Sequence, residues 1–260
     1  MAHTIYSNFY LSNEVEDAYT SHLDLSRFVT VDNSLVGAAG MKRVINRYKA
    51  TSGTEKLTMG KGNTKAIDVS FTPVEYTILL AQNKFEYYDE QEMTDPMIVP
   101  VGMQKAGADI FNTVNDDIYA EFKKATLSVT ATKFDFDAFA DAAAKLNLEN
   151  LEGVEKFAFV CPLDLAEIRK NLKDTLQYVK EYATNGYVGT VAGINLYTKK
   201  NSTVGEIIMA TKEAVTLFNK KGIETEQNRN QDTRLNQIFN RKYYVPALTD
   251  ETKAVKIVKG

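Results

Sequence analysis

The single cysteine, Cys161, is the first residue to consider as a catalytic nucleophile. An active thiol needs a lowered pKa, which a nearby histidine or a helix N-terminus can supply. Cys161 instead ends the apolar run 157–160 and precedes Pro162, a pattern typical of a small core residue. One cysteine cannot form an internal disulfide, which fits a reducing compartment. His3 and His22 have no neighbour at metal-ligand spacing, so the sequence predicts no metal site.

Two glycine-containing segments, residues 186–193 and 60–62, are the candidates for a phosphate-binding loop. The first is not followed by the Gly-Lys-Ser or Gly-Lys-Thr of a P-loop. The second is not followed by the start of a helix, whose N-terminus would bind the phosphate. The sequence therefore predicts no nucleotide and no other cofactor.

Paired carboxylates are the remaining candidates for acid–base chemistry. Glu224 and Glu226 lie two residues apart in a predicted strand and so share one face of it. A solvated or interfacial strand face is the favoured interpretation, because no further ligand or partner residue accompanies them. We therefore expect a protein that is not an enzyme. A soluble enzyme with an unrecognised site stays as an alternative.

Length and charge narrow the classes of protein further. The 260 residues suffice for one large domain or two small ones with a sizeable core. The net charge of -3 argues against a sequence-specific DNA-binding protein, which is usually basic. No apolar run approaches membrane-spanning length, and residues 1–10 lack the blocks of a signal peptide. We expect the protein to be made and used in a cytoplasm.

The hydrophobic pattern changes several times along the chain. Residues 1–36 are polar with scattered large apolar side chains, which is typical of an arm ordered by lying on another surface; a frayed terminus is the alternative. Residues 41–80 predict a long β-hairpin, with a polar, glycine-containing tip at 51–64 that projects from the body. Residues 95–125 have apolar side chains at helical spacing and predict the longest helix. Residues 134–260 predict a mixed α/β region.

Individual strands and helices follow from the same patterns. Ile67, Val69 and Phe71 alternate with Asp68 and Ser70, which predicts a strand with one buried face. In the α/β region, apolar runs predict strands at 157–161, 191–197, 206–210, 222–229, 236–248 and 253–258. Helical spacing there predicts helices at 136–146 and 165–176.

Two neighbouring blocks of the chain carry opposite charge. Residues 41–65 contain seven basic residues and one acidic residue, whereas residues 84–95 contain five acidic residues and one lysine. Such blocks on a near-neutral chain are typical of complementary surfaces, although two solvated faces without a partner are the alternative. The basic block has only Tyr48 as a base-stacking aromatic, which weakens a nucleic-acid interpretation.

The order of these parts resembles the major capsid proteins of tailed bacterial viruses with the Hong Kong 97-type fold. The run NGYVGTVAGIN at 185–195 looks like that family's axial-domain loop and following strand. Residues 210–218, 223–229 and 241–245 look like its closing pattern of strands. The resemblance extends over nearly the whole chain and implies an α+β fold. It implies these parts: an N-terminal arm at 1–36, an extended β-hairpin loop at 37–72, a peripheral domain with a long spine helix at 73–127 and 222–260, and an axial domain at 128–221.

The resemblance also implies a function in assembly. Members of the family form pentamers and hexamers that close into an icosahedral shell around double-stranded DNA, which the shell contacts without sequence specificity. The expected partners are further copies of the chain, a portal and decoration proteins. Since the chain begins almost directly with the arm, a separate scaffolding protein is also expected, with a mature or scaffold-free form as the alternative. The expected location is the virion capsid, assembled in the host bacterial cytoplasm. An encapsulin, a nanocompartment shell protein that encloses a cargo enzyme, is the alternative.

Contacts between neighbouring subunits are the site to expect in such a protein. In the family the extended loop of one subunit lies over the peripheral domain of the next. Lys56, Lys61 and Lys65 near the hairpin tip are therefore the candidates for contact with acidic groups of a neighbour. Glu90 and Glu92 are the first candidates for those acidic groups.

Overall fold

The computed structural model describes residues 23–146, 154–172 and 189–260 of the chain. Its helices are α1 (Asp89–Thr94), α2 (Ile98–Phe122), α3 (Phe136–Lys145) and α4 (Pro162–Asn171), with short 3-10 turns at Leu25–Phe28 and Glu251–Lys253. Its strands are β1 (Thr30–Asp32), β2 (Lys42–Ala50), β3 (Val69–Thr77), β4 (Leu79–Tyr88), β5 (Leu127–Ala131), β6 (Lys156–Val160), β7 (Thr190–Val191), β8 (Ile194–Thr198), β9 (Glu206–Thr211), β10 (Val215–Asn230), β11 (Leu235–Leu248) and β12 (Ala254–Lys259). The described part of the chain has no helix of the length and apolar character that crossing a membrane requires.

A four-stranded sheet in the order β1-β10-β11-β4 forms one layer. Strands β10 and β11 make a long antiparallel hairpin that runs from the Val215–Leu248 pair to the Asn230–Leu235 pair. Strand β4 lies antiparallel to β11 at one edge, and the short β1 lies parallel to β10 at the other. The sheet is therefore long and narrow, and its far end carries the turn that joins β10 to β11.

A six-stranded sheet in the order β5-β12-β9-β6-β8-β7 forms the second layer. Its central strands β6 and β9 are almost entirely buried, as their continuous apolar sequences require. Helices α3 and α4 cover one face through a core that includes Phe139, Ile168, Ile207 and Met209. The final strand β12 pairs with β5 and β9, so the chain returns to this sheet at its end.

Helix α2 connects the two layers. Its 25 residues correspond to about 37 Å at the usual rise per residue. Ile110, Ile118 and Phe122 pack into a core that also contains side chains from both sheets. Near its start the helix passes close to β4: a Cβ added at Gly102 would lie 2.3 Å from a ring atom of Phe85. A larger residue at this position would displace the Phe85 ring, so glycine lets the ring pack directly on the helix backbone.

The segment that precedes β1 belongs to the same core. Leu25 and Val29 are fully buried, and the ring of Phe28 lies 4.8 Å from the ring of Phe157. The side-chain amide of Asn115 on α2 accepts a hydrogen bond from the Leu25 backbone N–H at 3.1 Å. It also donates one to the carbonyl of residue 23 at 3.1 Å. The last third of the predicted arm thus packs against its own chain.

Several predicted elements are confirmed. The long helix predicted at 95–125 is α2, and the hairpin predicted at 41–80 consists of β2 and β3 in register from Lys42–Thr77 to Ala50–Val69. The three late strands are β10, β11 and β12, although β10 begins earlier than predicted, at Val215. The part of the helix predicted at 165–176 that lies beyond residue 172 falls outside the described residues.

Two predictions were wrong. The strand predicted at 191–197 is split by a turn, because Ala192 and Gly193 adopt positive φ angles of 50° and 74°. The alternation at 67–71 does not bury one face within this chain: Ile67, Val69 and Phe71 are 60%, 56% and 60% exposed. Strand β4 is not predicted from the sequence, because the end of this strand, from Lys84 to Tyr88, belongs to the block interpreted only by its charge.

Candidate functional site

The described residues contain no arrangement that suggests an active site. No group of three or more histidine, cysteine, aspartate or glutamate side chains lies close enough there to hold a metal ion. Cys161 is 5% exposed and precedes α4 without capping it through a side-chain hydrogen bond. Glu224 and Glu226 share a strand face as predicted, and both form ion pairs with Arg241 on the neighbouring strand. These carboxylates therefore have a structural partner.

A cavity of about 570 Å³ lies between α2 and the end of β8. On its lining, the Lys199 ammonium contacts the Asp116 carboxylate at 2.5 Å and lies 5.2 Å above the Tyr119 ring. The Lys199 side chain is only 9% exposed. The ion pair with Asp116 and the face of the Tyr119 ring offset the free-energy cost of burying its charge. This contact joins α2 to the segment that follows β8 of the six-stranded sheet.

The hairpin of β2 and β3 is the part of the molecule that lies apart from both layers. Its root is held by one arginine: Arg47 forms an ion pair with Glu251 and donates a hydrogen bond to the Leu248 carbonyl at 2.9 Å. The Tyr76 hydroxyl donates to the same carbonyl at 3.1 Å and accepts from Arg47 at 3.1 Å. Beside it, the guanidinium of Arg43 lies 5.2 Å from the centre of the Phe218 ring. We call this set of contacts the root clamp.

The hairpin tip has an internal structure that the sequence did not predict. The Glu55 carboxylate accepts hydrogen bonds from the backbone N–H and the hydroxyl of Thr64, at 2.8 and 2.7 Å. These bonds, the backbone one first, lower the pKa of the Glu55 carboxyl. Asn63 donates to the Gly53 carbonyl at 3.3 Å, and a Cβ on Gly53 would lie 2.6 Å from the Ile67 nitrogen. The tip is therefore a closed, hydrogen-bonded loop. The chain at Gly53 passes so close to the backbone at Ile67 that a side chain at Gly53 would clash with it.

The three candidate lysines lie on this tip. Lys56, Lys61 and Lys65 are all exposed. Lys65 contributes its carbonyl to the tip by accepting a hydrogen bond from Asn63 at 2.9 Å. Their ammonium groups are thus displayed on a folded loop at the end of a two-stranded sheet.

The candidate acidic residues lie on α1, at the far end of the four-stranded sheet. Glu90 pairs with Arg234 of the same chain at 2.8 Å, between side chains that are 56% and 62% exposed. Glu92 is exposed. Asp89 is partly enclosed, because it accepts from Arg229 at 2.5 Å and from Asn236 at 2.7 Å. Within one chain, then, Glu90 and Glu92 share a helix, and no described contact joins them to the lysines.

Comparison with known proteins places this architecture among viral and cellular shells. No family model matches the chain. It is 30% identical over 153 residues to the major capsid protein of Staphylococcus phage phiMR11, which covers 57% of this chain and 55% of that protein. The chain therefore spans about half the length of the curated relative it matches.

Solved structures share the fold over almost the whole chain. The mature capsid of bacteriophage PhiM1 superposes with a TM-score of 0.73 at 12% identity, covering 92% of this chain and 87% of that one. The SrpI encapsulin complex of Synechococcus elongatus PCC 7942 has a TM-score of 0.67 at 11% identity, covering 92% and 88%. Identities this low show the fold alone. The resemblance drawn from the sequence is confirmed at that level: the chain has the Hong Kong 97-type fold of tailed-phage capsid proteins.

Proposed function

We propose that this chain is the major capsid protein of a tailed bacterial virus, which assembles as pentamers and hexamers into an icosahedral shell around double-stranded DNA. The observation that carries the proposal is the 30% identity to a phage major capsid protein. The shared shell fold supports it. The projecting hairpin also supports it, because its face with Tyr48 and Phe71 is exposed among the described residues and an apolar strand face needs a second surface.

The parts of the subunit follow from this proposal. Residues 1–36 are the arm, 37–72 the extended loop, and 128–221 the axial domain. The peripheral domain comprises 73–127, with α2 as its spine, and 222–260. The structure adds one refinement: β12 pairs with β9 and β5, so the last strand links the peripheral segment back to the axial sheet.

The contact between neighbours has an electrostatic component in this proposal. Lys56, Lys61 and Lys65 of one subunit approach the acidic α1 of the next, where Glu92 is exposed and Glu90 already has Arg234. A pairing between exposed charges contributes little affinity, about 0–1 kcal/mol per pair. Its role is to orient the hairpin during encounter, and it weakens with ionic strength.

Charge reversal of the tip tests this component. Changing Lys56, Lys61 and Lys65 together to glutamate should slow shell assembly while the circular dichroism spectrum and unfolding midpoint stay the same. A matched control reverses three exposed lysines elsewhere, Lys133, Lys170 and Lys212, giving the same change in net charge. Assembly at the normal rate by the tip variant would contradict the electrostatic contact.

The encapsulin alternative rests on a specific observation, the shared fold of the SrpI shell. The two functions differ in what the shell encloses. Particles purified from the native source should contain double-stranded DNA, protected from added nuclease, and a portal at one vertex. Particles that instead hold one enzyme and no genome would replace the viral proposal with the nanocompartment. Decoration proteins, another viral partner in the proposal, would be identified in the same preparation.

A further inference from the structure

The root clamp rests on the short segment through which the chain passes from one sheet to the other. Its acceptors are the Leu248 carbonyl, at the end of β11, and the Glu251 carboxylate, in the turn before β12. Strand β11 belongs to the four-stranded sheet, whereas β12 belongs to the six-stranded sheet. We call residues 248–253 the junction. The hairpin is therefore attached at a point where the two sheets are joined.

A second connection between the sheets lies beside the junction. The turn between β9 and β10 joins the six-stranded sheet to the four-stranded one. The backbone N–H groups of Thr249 and Asp250 both donate to the Ala214 carbonyl in this turn, at 2.9 and 3.2 Å. Lys253 forms an ion pair with Glu213 of the same turn. The junction thus holds the two connections together while it carries the hairpin.

The junction also has an internal cap. The Asp250 carboxylate accepts hydrogen bonds from the backbone N–H and the hydroxyl of Thr252, at 2.9 and 2.6 Å. Such a cap stabilises the start of a helical turn, here the 3-10 turn Glu251–Lys253. The turn presents Glu251 to Arg47 of the hairpin. The position of the clamp's charged acceptor therefore depends on Asp250, whose described side-chain bonds all lie within the junction.

Beyond the junction the chain enters the interior of the six-stranded sheet. Ala254 and Val255, the first residues of β12, are fully buried. Strand β12 lies between β5 and β9, and among the described strands it is the sole partner of β5. The edge strand β5 is thus held in the sheet by a strand that begins where the junction ends.

We propose that the junction couples the hairpin to the six-stranded sheet: a hairpin held in place stabilises β12 and β5, and a loosened junction frees the hairpin. A continuous series of bonds supports this. Arg47 binds Glu251, Asp250 caps the turn that contains Glu251, and this turn leads directly into β12. A coupling free energy between two sites acts equally in both directions.

The coupling is a property of the single chain and goes beyond the proposed function. Only its use in a shell rests on that function. In a shell, a contact that holds the hairpin strengthens the six-stranded sheet of the same subunit, so that assembly itself stabilises the subunit's fold.

Removal of the Asp250 cap tests the coupling from the side of the junction. In the unassembled full-length chain, Asp250→Ala should raise amide hydrogen exchange in both hairpin strands, 42–50 and 69–77, by about fivefold, the effect of losing a typical N-cap. The hairpin sequence is unchanged in this variant. Faster exchange there must therefore come through the junction or from a general loss of stability, which a control variant separates.

Asp24 provides a closely matched control for a general loss of stability. It caps the 3-10 turn Leu25–Phe28 by accepting hydrogen bonds from the backbone N–H and the hydroxyl of Ser26, at 2.9 and 2.6 Å. The carboxylates of Asp24 and Asp250 also lie 3.9 and 3.7 Å from a basic side chain three residues later. Asp24→Ala should leave hairpin exchange near the wild-type rate, because its turn lies outside the junction.

The reverse experiment starts from the hairpin. Arg47→Ala should raise the exchange of the Thr249 and Asp250 amides, which donate to the carbonyl of Ala214. Lys42→Ala removes an exposed ion pair from the same hairpin and should leave those two amides at the wild-type rate. Because the coupling is reciprocal, the removal of the clamp and the removal of the cap should each be detected at the other's position.

The outcomes decide between coupling and independence. Hairpin exchange that stays at the wild-type rate in Asp250→Ala would overturn the coupling, and so would an equal rise in Asp24→Ala, which would indicate a general loss of stability. If Asp250→Ala does not fold, Thr252→Ala and Ser26→Ala give the same comparison, since each removes one capped hydroxyl. A chain that shows the coupling but never assembles would contradict the proposed function and leave this inference standing.

Discussion

Two buried tyrosines show how one hydrogen-bond partner decides whether a buried hydroxyl stabilises or destabilises the fold. Tyr119 on α2 is 4% exposed, and its hydroxyl has no hydrogen-bond partner among the described residues. Tyr244 on β11 is fully buried, and its hydroxyl donates to the Asp117 carboxylate at 2.5 Å. Burying a hydroxyl without a partner is unfavourable, whereas a hydrogen bond to a charged acceptor is among the stronger ones.

Replacing each of these tyrosines with phenylalanine should therefore have different effects on the free energy of unfolding at neutral pH. Tyr244→Phe should lower the free energy of unfolding by about 1.5–3 kcal/mol, because the Asp117 carboxylate loses its donor. Tyr119→Phe should keep it or raise it by about 1 kcal/mol, because a buried hydroxyl without a partner disappears. Urea denaturation of the two variants checks this, with each serving as the other's control. An equal loss in both would contradict the assigned hydrogen bonds.

Because of the same two tyrosines, we expect the folded protein to lose stability at alkaline pH. Burial is the main cause that raises the pKa of Tyr119 and of Tyr244, the latter also through its hydrogen bond to Asp117. In the unfolded chain both hydroxyls ionise near about pH 10. Their contribution is complete below that pH and is lost as the pH rises above it, because only the unfolded state then releases the protons.

Thermal unfolding at pH 8 and pH 11 measures this loss. The drop in midpoint between the two should be smaller in the double variant Tyr119→Phe/Tyr244→Phe than in wild type. Lysine deprotonation affects both proteins alike and cancels in the comparison. An undiminished drop in the double variant would show that the tyrosines do not govern alkaline unfolding.

At the scale of elements, the hairpin is held by few contacts, and the root clamp is the one with polar bonds to the body. Arg47 contacts Glu251, Leu248 and Tyr76, so one side chain joins β2 to the turn that follows β11. The side chains of Arg47 and Glu251 are 26% and 37% exposed, so solvent screens part of the attraction between their charges. Arg47→Ala should increase amide hydrogen exchange in 42–50 and 69–77 about tenfold, equivalent to about 1.4 kcal/mol.

A matched control for the clamp lies on the same hairpin. Lys42 pairs with Glu75 at 3.0 Å, but both side chains are more than half exposed. Lys42→Ala should leave the exchange of both strands nearly unchanged, as expected for a surface ion pair. If Arg47→Ala leaves hairpin exchange at the wild-type rate, the clamp does not set the hairpin's position.

How much of the fold could be predicted from sequence depended on where each side chain is buried. The helix α2 and the strands β11 and β12 are predictable because their apolar residues face a core of the same chain, whereas the predicted part of β10, 222–229, is largely exposed. The alternation at 67–71 predicts a strand with its apolar face in the core, but that face is exposed. Sequence periodicity shows that a face is apolar and does not say which molecule covers it. The bonds of Arg47 to Glu251 and Leu248 join residues some 200 apart, and no local pattern predicts them.

At the scale of the whole molecule, the subunit combines a self-sufficient body with surfaces that lack cover. Its two sheets share the helix α2 and a continuous core. Outside that core, the side chains of Tyr48, Phe71 and Met93 are more than half exposed. In the proposed shell such surfaces would meet neighbouring copies, and a closed shell multiplies modest pairwise energies.

An electron cryomicroscopy map of the purified, assembled protein at side-chain resolution tests the central claim most directly. The account predicts a closed icosahedral shell in which the β2–β3 hairpin of each subunit lies over a neighbour, with Lys56, Lys61 and Lys65 near that neighbour's α1. A protein that stays monomeric at high concentration, or a shell whose hairpins face solvent, would contradict it.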